Sequence, residues 1–211
     1  MKTLSMIAQK GGTGKTTLSI HLAVQATLND IKVLLVDIDP QASATTWWQR
    51  RQAEKPELAQ ADGNNLENIV AAAKQNGYEL IIIDSAPHNS AAAQTCARLS
   101  DMILIPTRPA ILDLDAIGAT TQLVENTGTR ARIVLNACPP PTRYGEPHIV
   151  SEAREALQEY RLPLSAVALS QRAAFSHALI DGRAISEFDP KSKAAVEINA
   201  LWDSIAEELA L

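Results

Sequence analysis

Short, nearly unbroken apolar runs alternate along this chain with longer stretches that are apolar on one side only. The runs are residues 4–8, 32–37, 80–84, 102–105 and 132–136, with a shorter one at 166–169. Runs apolar at both odd and even positions suit strands buried on both faces of a parallel sheet. Between them, helical spacing covers 18–28, 66–75, 91–99, 114–124 and 150–160, and a last helix, 193–209, closes the chain. This alternation predicts right-handed crossovers and an α/β fold: a doubly wound, mostly parallel sheet with helices on both faces. In such a sheet the ligand site forms at the carboxyl ends of the strands. Residues 52–65 are polar and read as a surface excursion. Pro139-Pro140-Pro141-Thr142-Arg143-Tyr144-Gly145 follows a strand end, where it can wall a pocket. With no internal repeat or long linker, one domain over residues 1–211 is expected.

Composition narrows the picture. With 46% hydrophobic and 20% charged residues the chain is ordinary for a globular protein, and at 4% aromatics its core must be aliphatic. A net charge of −5 excludes a generally basic coat, so any nucleic-acid contact has to be a local patch. The first strand starts at once, which argues against a signal peptide, and no apolar run approaches the ~20 residues of a membrane helix. Two cysteines, Cys96 and Cys138, make no disulfide framework and read as buried thiols. A cytoplasmic setting is expected.

The chemistry concentrates in Gln9-Lys10-Gly11-Gly12-Thr13-Gly14-Lys15-Thr16-Thr17, between the first strand and the first helix. Glycines there let successive backbone N–H groups curl around phosphate oxygens, and the helix N-terminus adds attraction for anions. Lys15 would reach the β and γ phosphates and the Thr16 hydroxyl would ligate Mg²⁺. The plain phosphate-loop pattern needs glycine at position 9; this chain has Gln9, with a second lysine, Lys10, after it. The bland alternative is a flexible turn with two solvated lysines. Asp37-Ile38-Asp39-Pro40-Gln41 ends the second strand with two carboxylates at spacing two, and Asp84 closes a later one before Ser85-Ala86-Pro87. A lone carboxylate there could cap a turn, but facing a phosphate loop these suit metal-linked or catalytic work.

In this order, Lys10 to Thr16, Asp37 to Gln41 and Ile83-Asp84-Ser85-Ala86-Pro87 resemble the ParA/MinD group of deviant Walker ATPases. Ser43-Ala44-Thr45-Thr46-Trp47, Pro109-Ala110-Ile111-Leu112-Asp113-Leu114 and Phe188-Asp189-Pro190-Lys191-Ser192-Lys193-Ala194-Ala195 are similar to segments of ParA-type partition ATPases. The resemblance spans nearly the whole chain and starts at the first strand, without the N-terminal DNA-reading extension of large plasmid forms. It implies an ATPase of weak basal activity, with ATP and Mg²⁺ as cofactors. Lys10 would be the signature lysine crossing an ATP-sandwiched homodimer. Gly11, Gly12, Thr13, Gly14, Lys15, Thr16, Thr17 and Asn136 would bind the nucleotide, with Thr17 on the α-phosphate. Asp39 would orient the attacking water, and Thr16, Asp37 and Asp84 would serve the metal. The resemblance also implies non-specific DNA binding on the nucleoid, with Arg172, Arg183, Lys191 and Lys193 as candidates. A ParB-like or small centromere-binding adaptor would stimulate hydrolysis, and the cargo would be a plasmid or chromosome segment.

Alternatives within reach are a non-DNA cargo, or a metabolic ligase on the same fold that activates a small carboxylate. The acidic end, Trp202-Asp203-Ser204-Ile205-Ala206-Glu207-Glu208-Leu209, argues against membrane targeting. Asn136-Ala137-Cys138-Pro139 lacks the guanine signature, favouring adenine. By charge pattern alone the DNA candidates, interspersed with Asp181, Glu187 and Asp189, read as solvated surface. Trp47 and Trp48 point about 100° apart on a helix, so one should be buried and the other half-exposed. His21, His88, His148 and His177 show no metal-ligand spacing and are assigned no role.

Overall fold

In a computed structural model, which describes residues 1–87 and 90–211, six parallel strands form one sheet in the order β3-β2-β4-β1-β5-β6. The strands are β1 (Lys2–Met6), β2 (Val33–Asp37), β3 (Glu57–Gln60), β4 (Leu80–Asp84), β5 (Met102–Thr107) and β6 (Ala131–Leu135). Helices α1 (Lys15–Leu28), α2 (Ser43–Arg50), α3 (Leu66–Gln75), α4 (Ser90–Leu99), α5 (Ile111–Asp115), α6 (Ile117–Thr127) and α7 (His148–Leu157) fill the crossovers. The chain ends with α8 (Ala173–Ala178), α9 (Ile185–Phe188) and α10 (Lys193–Leu209). His88 lies outside the described residues.

The apolar runs feed two cores at once, because successive strand residues point to opposite faces. Leu4, Met6, Val33, Leu35, Leu80, Ile82 and Leu104 meet α1, α2 and α10 on one side. Leu34, Val36, Ile81, Ile83, Ile103 and Ile105 meet α3, α4, α6 and α7 on the other. The apolar face of α10, with Ile198, Trp202, Ile205 and Leu209, is consumed in the first core. No helix among the described residues is long and apolar enough to cross a membrane.

Three expectations change in detail. The polar stretch 52–65 contains a strand, β3, which pairs only with β2 and is half-exposed; an edge strand of Glu57-Leu58-Ala59-Gln60 carries no buried run to announce it. Residues 166–169 form no strand. The segment runs beside β6 and the turn after it through the Ser165 and Leu169 N–H groups, which donate to the Ile133 and Leu135 carbonyls, and through isolated bridges at Leu164 and Ser170, while Arg154 donates to the carbonyls of Ser165 and Ala166. The helix expected over 114–124 is split into α5 and α6 at Ala116, where the Tyr160 hydroxyl donates to the Leu114 carbonyl at 3.0 Å.

Trp47 is buried, donating its Nε1–H to the Arg183 carbonyl, and half-buried Trp48 donates to that of Pro56. Beside them Arg51 joins α2 to the turn before α9. Its guanidinium forks onto Glu187 at 2.8 and 2.6 Å, donates to the Gly182 carbonyl and lies 5.2 Å from the Trp47 ring centroid. Gly182, at φ 77°, is required here: a Cβ would fall 2.4 Å from the Arg51 backbone. Since the Arg51 side chain is only 3% exposed, Arg51→Ala leaves Glu187 half-buried and unpaired. We expect a loss of about 3 kcal/mol, read as a thermal midpoint lowered by roughly 6–12 °C for a chain of this size.

Candidate nucleotide-binding site

Every element that ends at the carboxyl edge of the sheet delivers a polar side chain there. After β1 the chain leaves the sheet, Ile7 N–H still bonding the Leu104 carbonyl, and loops to Gly14, the N-cap of α1. Gly14 sits at φ 98°, and a Cβ on it would lie 2.1 Å from Asn136 Nδ2. That amide comes close because it donates to the Thr13 carbonyl at 2.7 Å, so β6 pins the loop that follows β1. Asn136 therefore shapes the loop, a role its position alone did not reveal. Gly11 and Gly12 are exposed, the Thr13 hydroxyl is buried without a partner, and the first turn of α1 has no acidic side chain. The result is an anion cradle: free backbone N–H groups at the positive end of a helix whose first turn carries no acidic side chain of its own.

Lys15 is 6% exposed, and its ammonium makes one long contact, 3.5 Å, to the Lys10 carbonyl. Burial pulls its pKa below the ordinary lysine value, against the charges of Asp84 and Asp39. Asp37 and Asp84 are register partners on β2 and β4. Burial, aided by the Asp37 charge, pushes Asp84 up to about 7, against the opposing effects of Thr16, Lys15 and Ser19. Ser19 donates to its Oδ1 at 3.2 Å, while Oδ2 is buried with no hydrogen-bond partner. Asp37 spends both oxygens on its own loop: Oδ1 accepts from Asp39 N–H, and Oδ2 from the N–H and hydroxyl of Thr45. It thereby fixes half-buried Asp39, whose Oδ1 takes the Gln41 N–H.

The open oxygen of Asp84 beside the Thr16 hydroxyl fits Mg²⁺, which binds through one or two carboxylates together with substrate phosphates. No group of three or more His, Cys, Asp or Glu among the described residues could hold a metal. A metal here would depend on nucleotide oxygens to complete its shell.

Lys10 bends away from its loop to Asp113 on α5, its Nζ 3.1 Å from Oδ2. Arg108, just past β5, holds the other oxygen at 3.3 Å from Nε, and a Cβ on Gly12 would lie 3.7 Å from its Nη2. The sequence motifs leave Arg108 unnamed and include Asp113 only within the family-like segment 109–114, without a role. The available signal was a carboxylate, Leu112-Asp113-Leu114, in an apolar setting, and it is 5% exposed in the fold.

Residues 4–185 match the family model described as the CobQ/CobB/MinD/ParA nucleotide binding domain. The chain belongs to this family. It is 31% identical over 210 residues to maintenance of carboxysome distribution protein A of Gloeobacter kilaueensis, covering 99% of this chain and 94% of that protein. Against the sporulation initiation inhibitor protein Soj of Bacillus subtilis it is 25% identical over 242 residues, covering 92% and 94%. Its fold matches that of a Cyanothece McdA variant in complex with ATP, with a TM-score of 0.77 at 17% identity, over 100% of this chain and 97% of that one. MinD from Pyrococcus horikoshii, complexed with Mg-ADP, matches with a TM-score of 0.78 at 18% identity, over 97% and 95%.

In this ParA/MinD-family chain a cleft of about 190 Å³ opens beside the loop, bounded by Gly12, Gly14, Thr17, Asn136, Arg172 and Phe175. Arg172 is held there by Glu197 at 2.8 Å, so this DNA candidate stands at the cleft rim. Arg183 is exposed and paired with Asp181 at 2.7 Å. Lys191 is exposed just before α10 and Lys193 is exposed at its first position, and neither side chain is hydrogen-bonded or ion-paired to another described residue. Cys96 and Cys138 are buried free thiols, pushed by burial up to about 12.

Proposed function

We propose that this chain is a Mg²⁺-dependent ATPase that closes as a homodimer around ATP, binds DNA without sequence preference in that state, and is released by hydrolysis. The observation that carries the reading is the cradle of Gly12, Gly14 and Lys15, facing Asp84 with its open oxygen. Lys15 and the α1 N-terminus would hold the phosphates. Thr16 and Asp84 would hold the metal, which supplies charge neutralisation on the phosphates, and Asp39 would orient water. The cycle would position a cargo on the nucleoid with the help of a ParB-like or small adaptor partner. Plasmid or chromosomal DNA is one cargo. The near full-length likeness to proteins named for carboxysome distribution supports a second, a protein assembly.

Lys191 and Lys193 are the strongest DNA candidates, since Arg172 and Arg183 already face carboxylates. Two lysines from each of two subunits would neutralise about four phosphates, giving a log–log salt slope near −3.6 and roughly a hundredfold loss between ~50 and ~200 mM salt. Fluorescence anisotropy with a random duplex should show binding with ATP but not ADP, that salt dependence, and a slope roughly halved by Lys191→Glu. Salt-independent affinity would remove the patch. ATP turnover that requires a small carboxylate acceptor, and ignores DNA and adaptor, would favour the ligase alternative.

A further inference from the structure

We propose that Arg172 is a base-stacking residue of the nucleotide site, the plane of its guanidinium covering the face of the purine in the cleft beside the phosphate loop. The inference rests on the nucleotide reading above and takes Arg172 out of the DNA surface. Thr17, the expected contact of the α-phosphate, borders this cleft, so a nucleotide seated on the loop directs its base along it. One wall of the cleft is the segment 169–176. It is pinned to the turn after β6: the Cys138 N–H donates to the Leu169 carbonyl at 2.9 Å, and the Gln171 N–H to the Cys138 carbonyl at 2.7 Å.

A flat partner holds a base through its face, whatever its hydrogen-bonding edge offers. The aromatic rings at the cleft, His21 and Phe175, are 0% and 9% exposed and pack on each other at 5.2 Å, so neither presents an open face. The Arg172 side chain, 21% exposed at the rim, is open to the cleft. Guanidinium planes stack on bases as well as binding anions. Here the anion-binding edge is already taken. Nε and Nη2 donate to Glu197 Oε1 at 3.3 and 2.8 Å, and Nη2 also donates to the Ser170 hydroxyl at 3.2 Å. Glu197 is fixed in turn, Oε1 accepting from the Ser170 hydroxyl at 2.7 Å and Oε2 from the Ser170 N–H at 2.9 Å. The guanidinium is thus held in place before a ligand arrives, and little freedom is lost when a base settles on it. The carboxylate also selects the ligand: it repels phosphate, whether of DNA or of the nucleotide's own tail, and tolerates an uncharged base.

The test is calorimetric titration of the wild-type chain, Arg172→Ala and Arg172→Lys with Mg²⁺ and either ATP or ribose 5-triphosphate, which lacks the base. The lysine variant keeps a cation for Glu197, which protects the fold, but has no plane to offer. Both variants should bind ATP about tenfold more weakly than the wild type, and all three proteins should bind ribose 5-triphosphate alike. Wild-type affinity for ATP in Arg172→Ala would mean that no contact exists, and in Arg172→Lys that charge alone suffices; either result overturns the inference. An equal loss of ribose 5-triphosphate binding would move Arg172 to the phosphates or the loop, and overturns it as well. These failures leave the nucleotide reading standing. If the wild-type protein does not bind ATP, that reading fails and this inference falls with it.

Discussion

Lys15→Ala is expected to weaken ATP binding by at least about a hundredfold while leaving the protein folded. The ammonium is buried beside Asp84 and Asp39 but is largely uncommitted, with only the long contact to the Lys10 carbonyl. Its desolvation has therefore been met in advance, and its donors are free for phosphate oxygens, where charge-assisted bonds are strongest. Alanine removes the one cation facing two carboxylates, so phosphate would enter a pocket of its own sign. The substitution is not expected to unfold the chain: Asp84, already pushed up to about 7, can answer the lost cation by taking a proton. Calorimetric titration with Mg-ATP and a thermal melt separate the two effects. Binding within a factor of a few of wild type would take Lys15 out of the phosphate site.

The parts of this site legible in the sequence are those encoded within one strand–loop–helix unit. Gly12, Gly14, Lys15 and Thr16 are adjacent residues whose backbone needs are local, and Asp37 and Asp84 each close a buried run that marks a strand end. The doubly wound sheet was legible for the same reason, since five of its strands are short runs that bury nearly every residue. β3 escaped because an edge strand buries too little to show a pattern. What the sequence could not convey are pairings across the fold. Asn136 reaches Thr13 over 123 residues, Ile185 reaches His21 over 164, and Lys10 meets Asp113 only because β1 and β5 are neighbours. Arg172 shows the converse. In sequence it is one more cation in a mixed-charge surface, whereas Glu197, a turn into α10, draws it to the cleft rim.

Lys10→Ala should leave ATP binding within about threefold of wild type and lower partner- and DNA-stimulated hydrolysis by about a hundredfold. That loss is smaller than the ~10³–10⁵ of an arginine finger because a lysine supplies a single point charge. Binding survives because alanine keeps the residue-10 carbonyl that Lys15 contacts. Hydrolysis suffers if the ammonium acts on a neighbouring subunit's nucleotide, and the fold makes its departure from Asp113 inexpensive. The Lys10 side chain is 31% exposed, so its ion pair is screened and worth no more than about 1 kcal/mol. Asp113, buried and costly to strand, keeps Arg108 on its other oxygen when Lys10 leaves. One carboxylate shared by two cations thus frees one of them without leaving a buried charge alone. Size-exclusion chromatography with ATP should accordingly find a dimer for the wild-type protein and a monomer for Lys10→Ala. A Lys10→Ala monomer that hydrolysed ATP at the stimulated wild-type rate would show that the lysine serves only its own loop, and the ATP-bridged dimer would have to be abandoned.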